Sequence, residues 1–244
     1  MKNLLFFLVL LFAFPVFAQE ETGMWSSISV DKKLNKKWTV GAETELRTFG
    51  GTDKNTYNDM YFVRLIDRWS FSVNTAYSPI KPVKISATYI IMNKLDTKYI
   101  GTDFSDTEYS HYQWRHRVYF SVSGKQKWGN FSFSLRERLQ FTTKDDSKRP
   151  KPYDVKNDFT WRNRLQVSYN INKFPVTPAA SVESFYSLNN PAGNKFETLR
   201  YILSFTYKIN KRNSFELYGV YNQDLSKENI YGLYILGLSY QIDL

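Results

Sequence analysis

The chain has 244 residues, a net charge of +10, 42% hydrophobic and 18% aromatic residues, and no cysteine. The missing thiols exclude disulfides, thiolate metal sites and cysteine nucleophiles. So basic a balance would suit a nucleic-acid partner, but the N-terminus points to a compartment where none is expected.

Lys2, the apolar run Leu4 to Phe14 and the small residue Ala18 read as a secretory signal peptide over residues 1–18. Cleavage is expected after Ala18, leaving one mature domain over 19–244. Gln19 rather than cysteine occupies the next position, so no lipoprotein anchor is expected. The apolar run is too short to cross a bilayer as a helix. The rest of the chain has no run of 18 apolar residues, so no transmembrane helix is expected.

The mature chain is a repeat of alternating apolar and polar residues, as in Val83-Lys84-Ile85-Ser86-Ala87-Thr88-Tyr89. Successive strand residues point to opposite faces, so each segment has one apolar and one polar face. In chain order the pattern predicts strands over Met24 to Leu34, Trp38 to Phe49, Arg68 to Ser78, Val83 to Lys94, and Gln113 to Ser123. It continues with Asn130 to Thr142, Phe159 to Ile171, Val176 to Leu188, Phe196 to Ile209, Asn213 to Gln223, and Ile230 to Leu244.

The connections alternate in length. Short ones centre on Asn35-Lys36, Ile80-Lys81, Gln126-Lys127, Lys173-Phe174 and Lys211-Arg212. Long polar ones run over Gly50 to Tyr57, Leu95 to His111, Thr143 to Asp158, Asn189 to Lys195, and Asp224 to Asn229. Many strands, short turns alternating with long loops and a secretory signal describe an all-β transmembrane antiparallel barrel of ten to twelve strands in the bacterial outer membrane, its turns periplasmic and its loops extracellular. Mean hydropathy is only −0.47, as expected when alternate residues alone meet lipid. A soluble periplasmic β-protein would show similar alternation and stays open at this point.

An even strand count is expected of a bacterial barrel with both termini in the periplasm. Ten strands would close from the second to the last, leaving Met24 to Leu34 as an extra element. Twelve would need one more strand, within Asn58 to Ile66.

The outward positions include Trp38, Val40, Ala42, Thr44 and Leu46, then Trp69, Phe71, Val73 and Tyr77, then Val83, Ile85, Ala87, Tyr89 and Ile91. Tilted strands cross the bilayer in about nine to eleven residues. Trp69, Trp114 and Trp161 fall about that far from their turns and predict an outer aromatic girdle; Trp38 and Trp128 suit an inner one. Outer-membrane lipid is therefore the one expected partner, with protein partners unassigned.

The inward positions carry charge. Arg-x-Arg recurs as Arg115-His116-Arg117, Arg136-Glu137-Arg138 and Arg162-Asn163-Arg164. With Arg200, Glu45, Arg47 and Glu183 these fall near one height, and Glu43 and Glu216 lie lower. The pattern predicts a belt of ion pairs, since arginine forks bind carboxylates in two-pronged fashion. Such a belt has two possible roles. It seals the lumen as a structural or scaffold element, or it lines a narrow small-solute channel that prefers anions.

No metal, cofactor or catalytic residue is expected. His111 and His116 are the only histidines. His116, Glu137 and Asn163 are expected to point outward, with His116 and Glu137 across one hairpin. A lipid hydrolase on the barrel wall remains the alternative, yet no serine lies two residues from either histidine, so the nucleophile that such a site needs is missing.

The chain resembles the domain of unknown function 2490 family of small outer-membrane barrels. The resemblance rests on Gly23-Met24-Trp25, Lys33-Leu34-Asn35-Lys36-Lys37-Trp38, Glu45-Leu46-Arg47 and Tyr77-Ser78-Pro79-Ile80-Lys81. It continues through Trp114-Arg115-His116-Arg117, Arg136-Glu137-Arg138-Leu139-Gln140, Trp161-Arg162-Asn163-Arg164-Leu165, and Pro178 to Phe185 with Glu183-Ser184-Phe185. It implies a barrel in the outer membrane and no particular activity.

Overall fold

The computed structural model describes residues 21–52, 61–100, 107–145, 157–190, 193–225 and 231–244. The expected signal segment and cleavage site lie outside them. Among the described residues eleven strands form one closed barrel. They are β1 (Glu21–Lys33), β2 (Trp38–Thr52), β3 (Tyr61–Tyr77), β4 (Val83–Ile100), β5 (Thr107–Trp128), β6 (Phe131–Lys144), β7 (Asn157–Tyr169), β8 (Val176–Ser187), β9 (Lys195–Lys208), β10 (Asn213–Asp224) and β11 (Tyr231–Asp243).

Each strand pairs antiparallel with the next, and β1 closes the barrel against β11 in parallel, from Glu21↔Leu233 to Asp31↔Asp243. Eleven matches the segments of the alternation and lies within the expected range of ten to twelve; what it overturns is the expectation of an even number. An odd number of up-and-down strands leaves the first and last running the same way, and a parallel ladder joins them. Tyr61 to Ile66 is the first part of β3 rather than a separate strand, and Asn58 to Met60 lie outside the described residues.

Two connections also differ from expectation. Leu95 to His111 is mostly strand: β4 and β5 stay paired out to Ile100↔Thr107. The segment is polar because it outreaches the other strands, and polarity alone does not stop a ladder whose backbone bonds remain satisfied. The β5–β6 turn is Gly129-Asn130 rather than Gln126-Lys127, with Trp128 paired to Phe131. Gly129 has φ 57°, and a II′ hairpin places glycine at that first loop position. At the β1–β2 and β9–β10 turns, Asn35 and Asn210 each accept two backbone N–H bonds through Oδ1 at 2.8–2.9 Å. These asparagine-closed turns fix the strand exits.

The two barrel faces separate as the alternation requires. Phe71, Val73 and Ile85 are each 45% exposed on the outer wall, and Phe120 reaches 63%. Inside, the buried apolar residues beside the seam are Trp25, Val220 and Ile235, packed with Ile202, Tyr218 and Leu233. Gly237 sits opposite Tyr218, and a Cβ there would run into the Tyr218 ring. The glycine lets the ring lie flat against the wall.

Candidate functional site

The polar interior is set by strand register. Arg136↔Arg164, Arg164↔Glu183, Glu183↔Arg200 and Arg200↔Asn222 form one continuous row from β6 to β10. Trp25↔Arg47 and Arg47↔Arg68 form another from β1 to β3. Contacts between strands that are not neighbours place these rows on the inner face. The Arg200 guanidinium of β9 lies 5.3 Å from the Trp25 ring of β1, with β10 and β11 between them in the wall. Only a path through the interior joins them.

The charges gather around two carboxylates. Glu183, 2% exposed, receives Arg136 Nη2 and Arg162 Nη2, each at 2.9 Å, and Arg200 Nη1 at 3.6 Å. Four strands thus meet on one carboxylate. Glu45 takes a two-pronged bond from Arg47, Nε at 2.7 Å and Nη2 at 2.9 Å, and a longer one from Arg68 Nη2 at 3.4 Å. Remaining donors go to neutral oxygens: Arg162 Nη1 to Gln140 at 3.0 Å, Arg164 Nε to Ser181 at 3.1 Å, Arg200 Nε to Asn222 at 2.7 Å, Arg115 Nε to Gln113 at 2.9 Å. Several guanidiniums also lie over aromatic faces. Arg47 sits 3.5 Å from the Trp25 centroid, Arg138 3.8 Å from Tyr119, and Arg162 4.2 Å from Phe185. Stacking on a ring face attracts a guanidinium that is short of carboxylates.

All ten expected belt residues are therefore brought together, as two clusters with arginines between them rather than one even ring. Glu43 pairs with Ser29 and Ser72, nearer the β1–β2 turn than Glu45. Arg68 and Trp25 belong to the network and were absent from the expected belt. Arg68 was legible, because it immediately precedes outward Trp69. Trp25 was hidden because its strand had no settled place in an even-numbered barrel.

The five girdle tryptophans lie on the outer wall. Trp69 meets Trp114 edge-on at 5.4 Å, and Trp161 meets Tyr186 at 6.3 Å. Near the short turns, Trp38 packs on Tyr77 at 4.9 Å, and Trp128, 79% exposed, flanks the Phe131–Tyr169 pair. Outward His116 bonds through Nδ1 to the Tyr89 hydroxyl at 2.6 Å. The side chain of His111 lies outside the described residues. His116 and Glu137 share a hairpin but are not apposed, since they pair with Thr143 and Val122. A turn at Gln126-Lys127 would have aligned them; the turn at Gly129-Asn130 does not. Glu137 instead accepts from Trp161 Nε1 at 2.8 Å and faces the Asn163 amide, which lies 3.4 Å from Ser184 Oγ.

Comparison with known proteins fits this geometry. The profile of a family described as a protein of unknown function, DUF2490, matches residues 22–231. No curated protein matches the chain. The β domain of the Bordetella autotransporter BrkA superposes with a TM-score of 0.55 at 10% identity, over 81% of this chain and 79% of that one. OmpT, an outer membrane protein of Vibrio cholerae, gives a TM-score of 0.36 at 10% identity, over 79% and 76% of the two chains. The first likeness shows the fold, an outer-membrane-type β-barrel.

Proposed function

Because the chain belongs to the DUF2490 family, whose function is unknown, its role must be read from its own residues, and we propose that it is a non-enzymatic outer-membrane barrel with a lumen closed by an Arg–Glu network. The observation that carries this reading is Glu183, 2% exposed and held by arginines of three other strands. A carboxylate in an open aqueous pore would keep part of its surface in water. Here protein donors have replaced that water. The wall supports membrane residence: Leu135 at 50% and Leu165 at 57% exposure join Phe71, Val73, Ile85 and Phe120 in a broad apolar band. A soluble protein would leave such a band exposed to association.

The role is then a structural one in the envelope, with passage limited to what slips through the network. Reconstitution into planar bilayers tests it. The expected result is no steady conductance; large, lasting open steps would refute the closed lumen. A narrow anion-preferring channel is the second reading. Nine interior arginines (Arg47, Arg68, Arg115, Arg117, Arg136, Arg138, Arg162, Arg164 and Arg200) against Glu43, Glu45, Glu183 and Glu216 favour it, because such an excess holds an anion-attracting field.

A further inference from the structure

Three guanidiniums gather between the Glu45 and Glu183 clusters, and among the described residues Arg162 alone of the three is bonded to a carboxylate, Glu183. Arg117 of β5 donates from Nε to Thr142 Oγ1 at 3.0 Å. The charges that act on it most strongly are those of Arg68, Arg162, Arg47 and Arg115, all guanidiniums. Arg138 of β6 lies over the Tyr119 ring, two residues along from Arg117 on the same face, and its Nε has no partner. Arg162 of β7 lies near both; its Nε is also buried without a partner, although its other nitrogens are engaged. Among the described residues neither Arg117 nor Arg138 is ion-paired.

Guanidiniums stay charged in proteins, so this cluster cannot relieve itself by losing protons. Buried like charges need an opposite charge, and Glu183, which serves Arg162, is already shared with Arg136 and Arg200. We propose that Arg117, Arg138 and Arg162 bind a polyvalent oxyanion of the phosphate class inside the barrel. The guanidiniums of Arg117 and Arg138, with the open Nε of Arg162, suit an anion with several oxygens, each able to take one or two N–H donors. A chloride ion fills fewer of these donors. The site lies behind the barrel wall, so the ligand is a free solute and not a lipid headgroup. The proposal rests on the closed, charged lumen argued above.

The test is thermal unfolding of the full mature protein in non-ionic detergent, read by gel mobility, with inorganic phosphate titrated against chloride at fixed ionic strength. Phosphate is expected to raise the midpoint progressively with concentration, as ligand linkage requires, and chloride is not. Arg117→Gln should weaken the apparent phosphate affinity by about tenfold or more, the worth of one charge-assisted bond. Arg117→Glu supplies an internal carboxylate. It should raise the midpoint in phosphate-free buffer and abolish the phosphate dependence. Arg212→Gln, at the β9–β10 turn, should change neither. Equal stabilisation by phosphate and chloride overturns the proposal, as does an undiminished phosphate effect in both Arg117 variants. Competition by phosphatidylglycerol added to the micelle also overturns it, because that places the site on the lipid face. A barrel that conducts freely refutes the closed lumen but leaves this titration standing. A closed barrel indifferent to phosphate refutes this inference alone.

Discussion

Replacing Glu183 by alanine is the sharpest probe of the interior. The carboxylate accepts two bonds of 2.9 Å and a third contact of 3.6 Å from three guanidiniums, and its side chain is 2% exposed. Removing one partner of a buried ion pair costs about 3–5 kcal/mol, because the remaining charge stays buried without compensation. Here Arg136, Arg162 and Arg200 would confront one another, so the upper part of that range applies. For a chain of this size each kcal/mol moves the melting midpoint by roughly 2–4 °C, so a cost of about 4–5 kcal/mol gives a fall of roughly 8–20 °C. Heat-modifiability on gels, run on wild type, Glu183→Ala and Glu183→Gln, measures it. Glutamine fills the space but not the charge, and should recover little of the loss. If the belt lined a water-filled pore, solvent would screen the arginines and the loss would fall below about 1 kcal/mol. Unchanged melting together with clear anion-selective conductance would therefore refute the reasoning.

Three further outcomes are expected. Cell fractionation should recover the mature protein, starting at Gln19, in the outer membrane; recovery mainly in the soluble periplasm would defeat the membrane reading. Val73→Arg and Ile85→Arg place a charge on the lipid face and should each cost about 2–4 kcal/mol at mid-membrane, whereas Asn74→Arg, one residue on and facing Asp31 inside, should cost less than half as much; equal costs at all three would show the in–out register to be wrong. Purified protein in phospholipid micelles with calcium should show no turnover that His116→Ala removes, since the His116 Nδ1 is already engaged by Tyr89; activity lost in that variant alone would make the protein a hydrolase.

The strands were legible because alternation is a local signal, with an apolar outer wall on one face and a charged interior on the other. Val83 begins a strand in the alternation pattern and in the structure alike, as do Trp38, Val176 and Asn213. The belt was legible for the same reason: Arg-x-Arg at period two must place both side chains on one face. Its partition into two clusters was not. Which arginine reaches Glu183 depends on register across four strands, and register depends on where each turn falls. The displacement of the turn to Gly129-Asn130 shows how one misplaced turn shifts every partner along a hairpin. Arg68 dropped out of the expected belt although its neighbour Trp69 fixed its direction. Closure was least legible of all, since β1 and β11 are joined by no turn and lie about two hundred residues apart in the chain.

That closure bears on how the interior is filled. A parallel ladder is slightly less stable per residue than an antiparallel one, and β1–β11 is the only parallel ladder among the described strands. The interior is apolar at this seam, where Trp25, Val220 and Ile235 are buried together. Apolar burial is non-directional and tolerates the slanted geometry of a parallel pair. The charged clusters occupy the rest of the circumference, where antiparallel register fixes arginine and glutamate accurately enough for two-pronged bonds. Trp25 joins the two regimes. It packs against the apolar seam and also meets a pair of guanidiniums, Arg47 at 3.5 Å and Arg200 at 5.3 Å from its ring. Through that ring the seam is tied to both carboxylate clusters, since Arg47 holds Glu45 and Arg200 holds Glu183. Closing the barrel and, on the function proposed above, closing the lumen are parts of one contact network.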